Sequence, residues 1–326
     1  MERYKPVSPL SIAQSLVFIK QHKEVSVMEY IQPVCNGKRR ASLSTAHGVI
    51  HFPTFMPVTT FGDKYPLDRM IQPYLKRLSQ CLMVSYYYAQ KMKRRPSMPI
   101  FVDSGGYAGL FEGTEILDYG EYACIKTKNG DEVKPLDVLH FQMKNADIGA
   151  TLDFIIPPGL NETECRRRQE LTIKNALYAQ EHNIVGNLVL FASLQCWDEA
   201  SARRCARIFA EAGFDGIAIG GMVPRARDKE YVKSVVRVVR EAAPNCVIHV
   251  FGCGNMDLIP ELIAAGADSF DSSSYARRAV DSGKTESSSG MHSAMYAAIE
   301  NLYKTNAMLG GVDKINEVTP NMKLCR

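Results

Sequence analysis

Residues 187–222 read NLVLFASLQCWDEASARRCARIFAEAGFDGIAIGGM. A short apolar run is followed by an amphipathic segment that ends in glycine, as helices often do, and then by a second apolar run. Neither run alternates cleanly with polar residues. Near-continuous apolar runs of this length are the pattern of strands buried on both faces of a parallel sheet. Working outward, the same unit recurs. The runs are VIHFPTFMPV (49–58), CLMVSYYYA (81–89), PIFVDSGGY (99–107), ATLDFIIPP (150–158), NLVLFASLQ (187–195), DGIAIGGM (215–222), CVIHVFGCG (246–254) and DSFDSSS (268–274). Segments such as TECRRRQELTIKNALYAQEH and NMDLIPELIAAG separate the later ones. Eight strands alternating with helices predict an α/β protein with a (β/α)8 TIM barrel; an open doubly wound sheet is the alternative. After the third strand, YACIKTKNGDEVKPLDV carries Asn129-Gly130 between alternating segments, which predicts an inserted β-hairpin with a two-residue turn. Residues 1–45 are expected to form an N-terminal extension or cap, and residues 46–326 a single barrel domain.

Composition narrows the class. The chain has 326 residues, 46% hydrophobic and 23% charged, enough for a large core without disulfides. Its nine cysteines are scattered singly with no CxxC pair, which argues for reduced thiols and against a thiolate zinc cluster. No apolar run is long enough to span a bilayer, and the charged N-terminal segment does not resemble a signal core, so a cytoplasmic protein with no membrane partner is expected. The net charge of +4 does not by itself mark a nucleic-acid binder.

In a barrel of this type, polar residues at the C-terminal ends of strands face the functional site, and those at the other end serve stability. Applied here, that rule selects Asp103 after strand three, Asp153 in strand four, Gln195 after strand five, Gly220 and Gly221 after strand six, Gly252 and Gly254 after strand seven, and Asp271 at the end of strand eight. Each has a plainer account. Asp103 before Ser-Gly-Gly could simply form a turn; Asp153 could be a buried structural carboxylate; the glycines could be tight turns or phosphate cups. Three carboxylates converging on one pocket repel one another, and that joint placement points to function. Basic segments QKMKRRP, ECRRRQ, VPRARDK and YARRAV follow strands two, four, six and eight. Singly they read as solvated surface. Together they would ring the acidic pocket and suit a polyanion whose uncharged part enters while its phosphates stay on the rim.

These motifs, in this order, resemble the tRNA-guanine transglycosylase superfamily. FPTFMPVTTFG is similar to its first-strand signature, FVDSGGYAGLF to its DSGG(F/Y)Q motif, ADIGATLDFIIPP to its strand-four segment, GIAIGGM to AIGGL, VFGCGNMDLI to the GVG segment and FDSSSYAR to FDC-x-x-PTR, while LQCW stands where the VQG-type motif falls. The resemblance covers about residues 45 to 280. It implies base exchange without a cofactor: guanine in a polynucleotide is replaced by a 7-deazaguanine through a glycosyl-aspartate. Asp271 would be the nucleophile and Asp103 the general acid/base. Asp153 would accept from the base; Gln195 and the Gly220-Gly221 backbone would meet its O6 edge. Tyr107 and Phe251 would sandwich the heterocycle, and Arg277, with Arg278, would hold a phosphate.

Departures from the family pattern shape the substrate expectation. No CxCxxC zinc motif follows Asp271, so no metal is expected, and DNA is favoured over tRNA as the polynucleotide, with protein partners from a modification cluster as a further expectation. VPRAR stands where relatives using an aminomethyl-deazaguanine carry an acid, which favours a neutral nitrile-bearing base. Tyr275 replaces the proline of PTR, and Ser272 the cysteine of FDC. Readings of other kinds are a zinc-less transglycosylase of tRNA, a non-catalytic nucleic-acid-binding accessory barrel, and a phosphate-binding metabolic barrel. Retention of both Asp103 and Asp271 speaks against the accessory barrel; the last leaves Asp153 and Asp271 unexplained.

Overall fold

The apolar runs pair with one another in one parallel sheet. A computed structural model of the chain describes residues 31–35, 38–64, 66–183, 188–281 and 288–309. A small antiparallel sheet comes first, of β1 (Ile31–Cys35), β2 (Lys38–Thr45) and β3 (Gly48–Phe52). Then follow β4 (Thr54–Pro57), β5 (Leu82–Ser85) and β6 (Ile100–Asp103); an inserted meander of β7 (Glu115–Asp118), β8 (Ala123–Lys126) and β9 (Glu132–Val133); and β10 (Ile148–Ala150), β11 (Val189–Leu194), β12 (Gly216–Ile219), β13 (Val247–Val250) and β14 (Ser269–Ser272). The eight-stranded sheet runs β4-β14-β13-β12-β11-β10-β6-β5. A parallel bridge between Val58 and Met83 brings its two outer strands together, and the Thr59 N–H donates to the Met83 carbonyl at 2.9 Å. This is the (β/α)8 barrel that the alternating runs predict.

Three local expectations are corrected. The run 49–58 is two strands, β3 in the antiparallel sheet and β4 in the barrel, broken at Pro53, which has no N–H to continue a ladder. The fourth barrel strand is β10, ending at Ala150, so Asp153 lies beyond the strand and not within it. Past that point side chains take the backbone donors: the Phe154 N–H goes to Thr172 Oγ1 at 3.0 Å and the Ile156 N–H to Gln195 Oε1 at 3.2 Å. The insertion has three strands, and its Asn129-Gly130 turn is longer than two residues, since Thr127 N–H bonds to the Asp131 carbonyl and Gly130 N–H to the Thr127 carbonyl. Residues 1–30 lie outside the described residues, and position 45 falls at the end of β2, whose hairpin partner is β3.

The barrel interior is filled by Met56, Met83, Phe101, Ile148, Ala150, Val189, Phe191, Ala218 and Val247, joined by Leu43, Ile50 and Phe52 from β2 and β3. Outside the sheet, each helix buries one stripe. The helix Glu199–Glu211 shows why: Asp198 and Ser201 form a capping box at its start, and Ala202, Cys205, Ala206 and Phe209 fall on one face at helical spacing. Burying a side chain such as Phe209 is worth roughly 1.5–3 kcal/mol.

Carboxylates at strand starts serve this scaffold. Asp147, before β10, accepts from the Ile100 N–H at 2.9 Å, from His47 Nδ1 at 2.7 Å, and from Arg95. Asp268, before β14, accepts from the Ile248 N–H at 2.8 Å and from Arg240 at 2.5 Å. Arg95, from the basic segment after the second barrel strand, therefore reaches away from the strand tips instead of ringing them. Cys81, Cys124, Cys165, Cys196, Cys205, Cys246 and Cys253 are free, and all of them but Cys253 are buried. No helix among the described residues is long and apolar enough to cross a membrane.

Candidate active site

The opposite end of the barrel gathers the other acids. At the tip of β6, each residue of Asp103-Ser104-Gly105-Gly106 has a separate contact. Asp103 Oδ1 accepts from the Gly105 N–H at 2.8 Å and the Tyr86 N–H at 3.2 Å. Ser104 Oγ accepts from the Gly106 N–H at 3.0 Å and donates to Asp153 Oδ1 at 2.7 Å. Asp103 thus does form the turn that its neighbours suggest, and the same turn aims its carboxyl. Burial is the main cause that pushes this carboxyl up to about 7; the two N–H donors oppose the rise, and the charge of Asp271 adds to it.

Asp153 is buried. Its second oxygen accepts from Gln195 Nε2 at 2.6 Å, and Gln195 is itself fully buried behind it. Burial raises the Asp153 carboxyl above the ordinary range while Ser104 and Gln195 pull it down. Two glycines make this packing possible. A Cβ at Gly106 would stand 2.2 Å from Asp153 Oδ1, and one at Gly220 would stand 2.1 Å from Gln195 Nε2. Gly106→Ala is therefore expected to push Asp153 out of place and to destabilise the protein by about 1–3 kcal/mol, read as a lower urea midpoint at unchanged slope.

Asp271, at β14, is buried, and its Oδ1 accepts from the Gly252 N–H at 2.8 Å and from His249 Nε2 at 3.0 Å. His249 is fully buried in β13, and its Nδ1 lies 2.9 Å from Ser269 Oγ. Sequence reasoning passed over His249, Ser104 and Ser269. The available signal was a lone polar residue in the run CVIHVFG, at the same parity as Val247, which faces the barrel interior.

The remaining candidates are less uniform. Phe251 follows β13 and sets its ring edge-on to His249 with centroids 4.9 Å apart. Tyr107 is 57% exposed on a short turn of helix and meets Phe111 edge-on at 5.9 Å. Gly220 and Gly221 follow β12; the Gly220 N–H bonds back to the Leu194 carbonyl, and the Gly221 carbonyl accepts from Arg225 at 3.0 Å. Arg277 is exposed on the helix Ser274–Asp281, whereas Arg278 bonds to the Gly254 carbonyl at 3.2 Å and to Ser274. Many arginines of the basic segments are engaged internally. Arg166, Arg167 and Arg168 pair with Glu162 or Glu164, and Arg225 also holds the Ile156 carbonyl at 2.7 Å. Among the described residues, no group of three or more His, Cys, Asp or Glu is placed to hold a metal ion.

Comparison with known proteins identifies a family and relatives for the chain. The family described as queuine tRNA-ribosyltransferase matches residues 35–291. The tRNA-guanine(15) transglycosylase of Methanopyrus kandleri is 35% identical over 52% of this chain and 38% of its own length. That of Methanothermobacter thermautotrophicus is 29% identical over 74% of this chain and 36% of its own length, and that of Archaeoglobus fulgidus 28% identical over 74% and 50%. The matched region spans half or less of each of these relatives.

Proposed function

The chain belongs to the queuine tRNA-ribosyltransferase family, and from that premise we propose that it is a pentosyltransferase exchanging guanine in a polynucleotide for a 7-deazaguanine. The observation that carries the proposal is the divergence of two acids at one barrel end. Asp103 is held near neutrality, while Asp271 has one oxygen gripped by two donors. A carboxyl that can hold a proton near neutral pH suits acid/base work, and one fixed in place by hydrogen bonds at the strand tip suits nucleophilic work. Asp271 attacks the sugar C1′; the C1′–N9 bond breaks, its electron pair goes to N9, and Asp103 supplies the proton. In the second half the incoming base loses its N9 proton to Asp103, and its nitrogen displaces Asp271 from C1′.

Asp153 reads the base. Each of its oxygens already accepts one bond, from Ser104 or Gln195, and a carboxylate has further lone pairs for the N1–H and exocyclic amine of guanine. Gln195 orients Asp153 and has a second amide hydrogen for O6; the Gly221 backbone lies on the same edge. Tyr107 and Phe251 offer faces to the heterocycle, and Arg277 a charge to phosphate. Arg225, bonded to the Gly221 carbonyl, disfavours a cationic substituent on the incoming base and so favours a neutral one such as a nitrile. Asp153→Ala is expected to raise KM for the base about a hundredfold, two charge-assisted bonds being lost, with nucleic-acid affinity changed far less. Equal losses in both would remove Asp153 from this role.

The relatives are tRNA-guanine(15) transglycosylases, which favours tRNA as the polynucleotide. DNA is the second reading. It rests on residues 272–309, in which the helices Ser274–Asp281 and Ser288–Met308 stand and no CxCxxC occurs. Labelled guanine incubated with the protein and tRNA, single-stranded DNA or duplex DNA separates the two. Label in tRNA alone supports the first reading, label in DNA alone the second, and label in neither overturns base exchange.

A further inference from the structure

The two oxygens of Asp271 are not equivalent. Oδ1 accepts from both the Gly252 N–H and His249 Nε2, at 2.8 and 3.0 Å. His249 has no exposed surface, so its polar atoms must find partners inside the barrel. A carboxylate only accepts, so the nitrogen facing it carries the hydrogen. In a neutral imidazole Nδ1 is then the accepting nitrogen, and Ser269 Oγ, 2.9 Å away, is the donor that satisfies it. The strands hold this chain in register: His249 of β13 pairs with Ser269 of β14, and Asp271 lies two residues further along on the same face. Phe101 and Phe251 flank the imidazole, with ring centroids 5.1 and 4.9 Å from it, and limit its rotation.

We infer that Oδ2 of Asp271 is the attacking oxygen, and that His249, oriented by Ser269, is the positioning residue that reserves it. This rests on the base-exchange reading and deepens it. When the Oδ2–C1′ bond forms and the C1′–N9 bond breaks, Oδ1 becomes the carbonyl oxygen of the glycosyl ester. Its two donors stay in place. When the incoming base attacks C1′, the Oδ2–C1′ pair returns to the carboxylate, and the charge spreads onto Oδ1 where those donors meet it. Donors placed beforehand at a site of developing charge stabilise the transition state without reorganising. His249 therefore acts on the departure of Asp271 as well as on its aim.

The test compares His249→Phe, His249→Gln and Ser269→Ala with the unmodified chain. His249→Phe is expected to lower kcat for guanine exchange about a hundredfold, with KM for the base unchanged and thermal unfolding within a few degrees of the parent. His249→Gln keeps an N–H donor near the position of Nε2 and is expected to recover most of the rate. Ser269→Ala leaves the imidazole in place without its orienting donor and is expected to slow exchange about tenfold. Nitrogen NMR of the unmodified protein reads the geometry directly: His249 should be the Nε2–H tautomer, and Asp271→Asn should shift that signal. An Nδ1–H tautomer, or unmodified kcat in folded His249→Phe, overturns the inference while base exchange stands. Absence of exchange by the unmodified chain overturns base exchange and this inference together.

Discussion

Asp271→Asn is expected to abolish any protein–nucleic acid adduct that survives denaturation and to lower guanine exchange by at least about 10⁴-fold, the scale of losing a covalent nucleophile. The substitution changes little else. An amide has nearly the shape of the carboxylate, and its oxygen can still accept from Gly252 and His249, which now hold Oδ1. The protein should therefore fold and bind nucleic acid as before, so that the loss appears in kcat. Denaturing gel electrophoresis of the protein mixed with labelled tRNA or DNA checks it. An adduct that persists in Asp271→Asn would place the nucleophile elsewhere.

The second large effect is pH-dependent and belongs to Asp103. As general acid it must hold a proton when guanine departs, and its carboxyl is pushed up to about 7. The first half-reaction, followed as adduct formation, should therefore fall tenfold per pH unit above that value, with Asp103→Asn slower by about 10²–10⁴-fold and lacking this limb. Stability carries the same signature. Because the folded value lies above the unfolded one, the native state binds more protons than the unfolded chain between about pH 4 and about pH 7, and the stability from this group is lost as pH rises through that window. Asp103→Asn has no such loss. Compared with the unmodified chain, it should be relatively more stable at about pH 8 than at about pH 5, measured by urea unfolding. The same pH dependence in both proteins would remove the perturbed group from Asp103.

How much of this was legible beforehand can be followed residue by residue. The barrel was, because a strand buried on both faces must be apolar throughout and a helix on its surface must be apolar on one stripe. Those demands act within a dozen residues and leave their period in the sequence. Asp103 and Asp271 were also legible as strand-tip acids, because a carboxylate after a buried run has few places to go except the mouth of the sheet. The end of the fourth barrel strand was not legible, since TLDFII, which holds Asp153, looks like continued strand. Its backbone donors instead go to Thr172 and Gln195, 18 and 39 residues away from those they serve. The direction of Arg95 was not legible for the same kind of reason: its partner Asp147 is 52 residues on.

The sequence by itself therefore determined the βα alternation, the family and the acids at the strand tips, all of which follow from local period and motif order. The tertiary structure alone decided how those acids differ. Ser104 and Gln195 meet on Asp153 across 49 and 42 residues, and His249 reaches Asp271 across 22. Such contacts depend on the register between neighbouring strands, and a carboxylate's environment depends on which donors that register delivers to which oxygen. Desolvation and hydrogen bonding then set one acid near neutrality and give another a gripped oxygen, a distinction that no local pattern in the chain encodes.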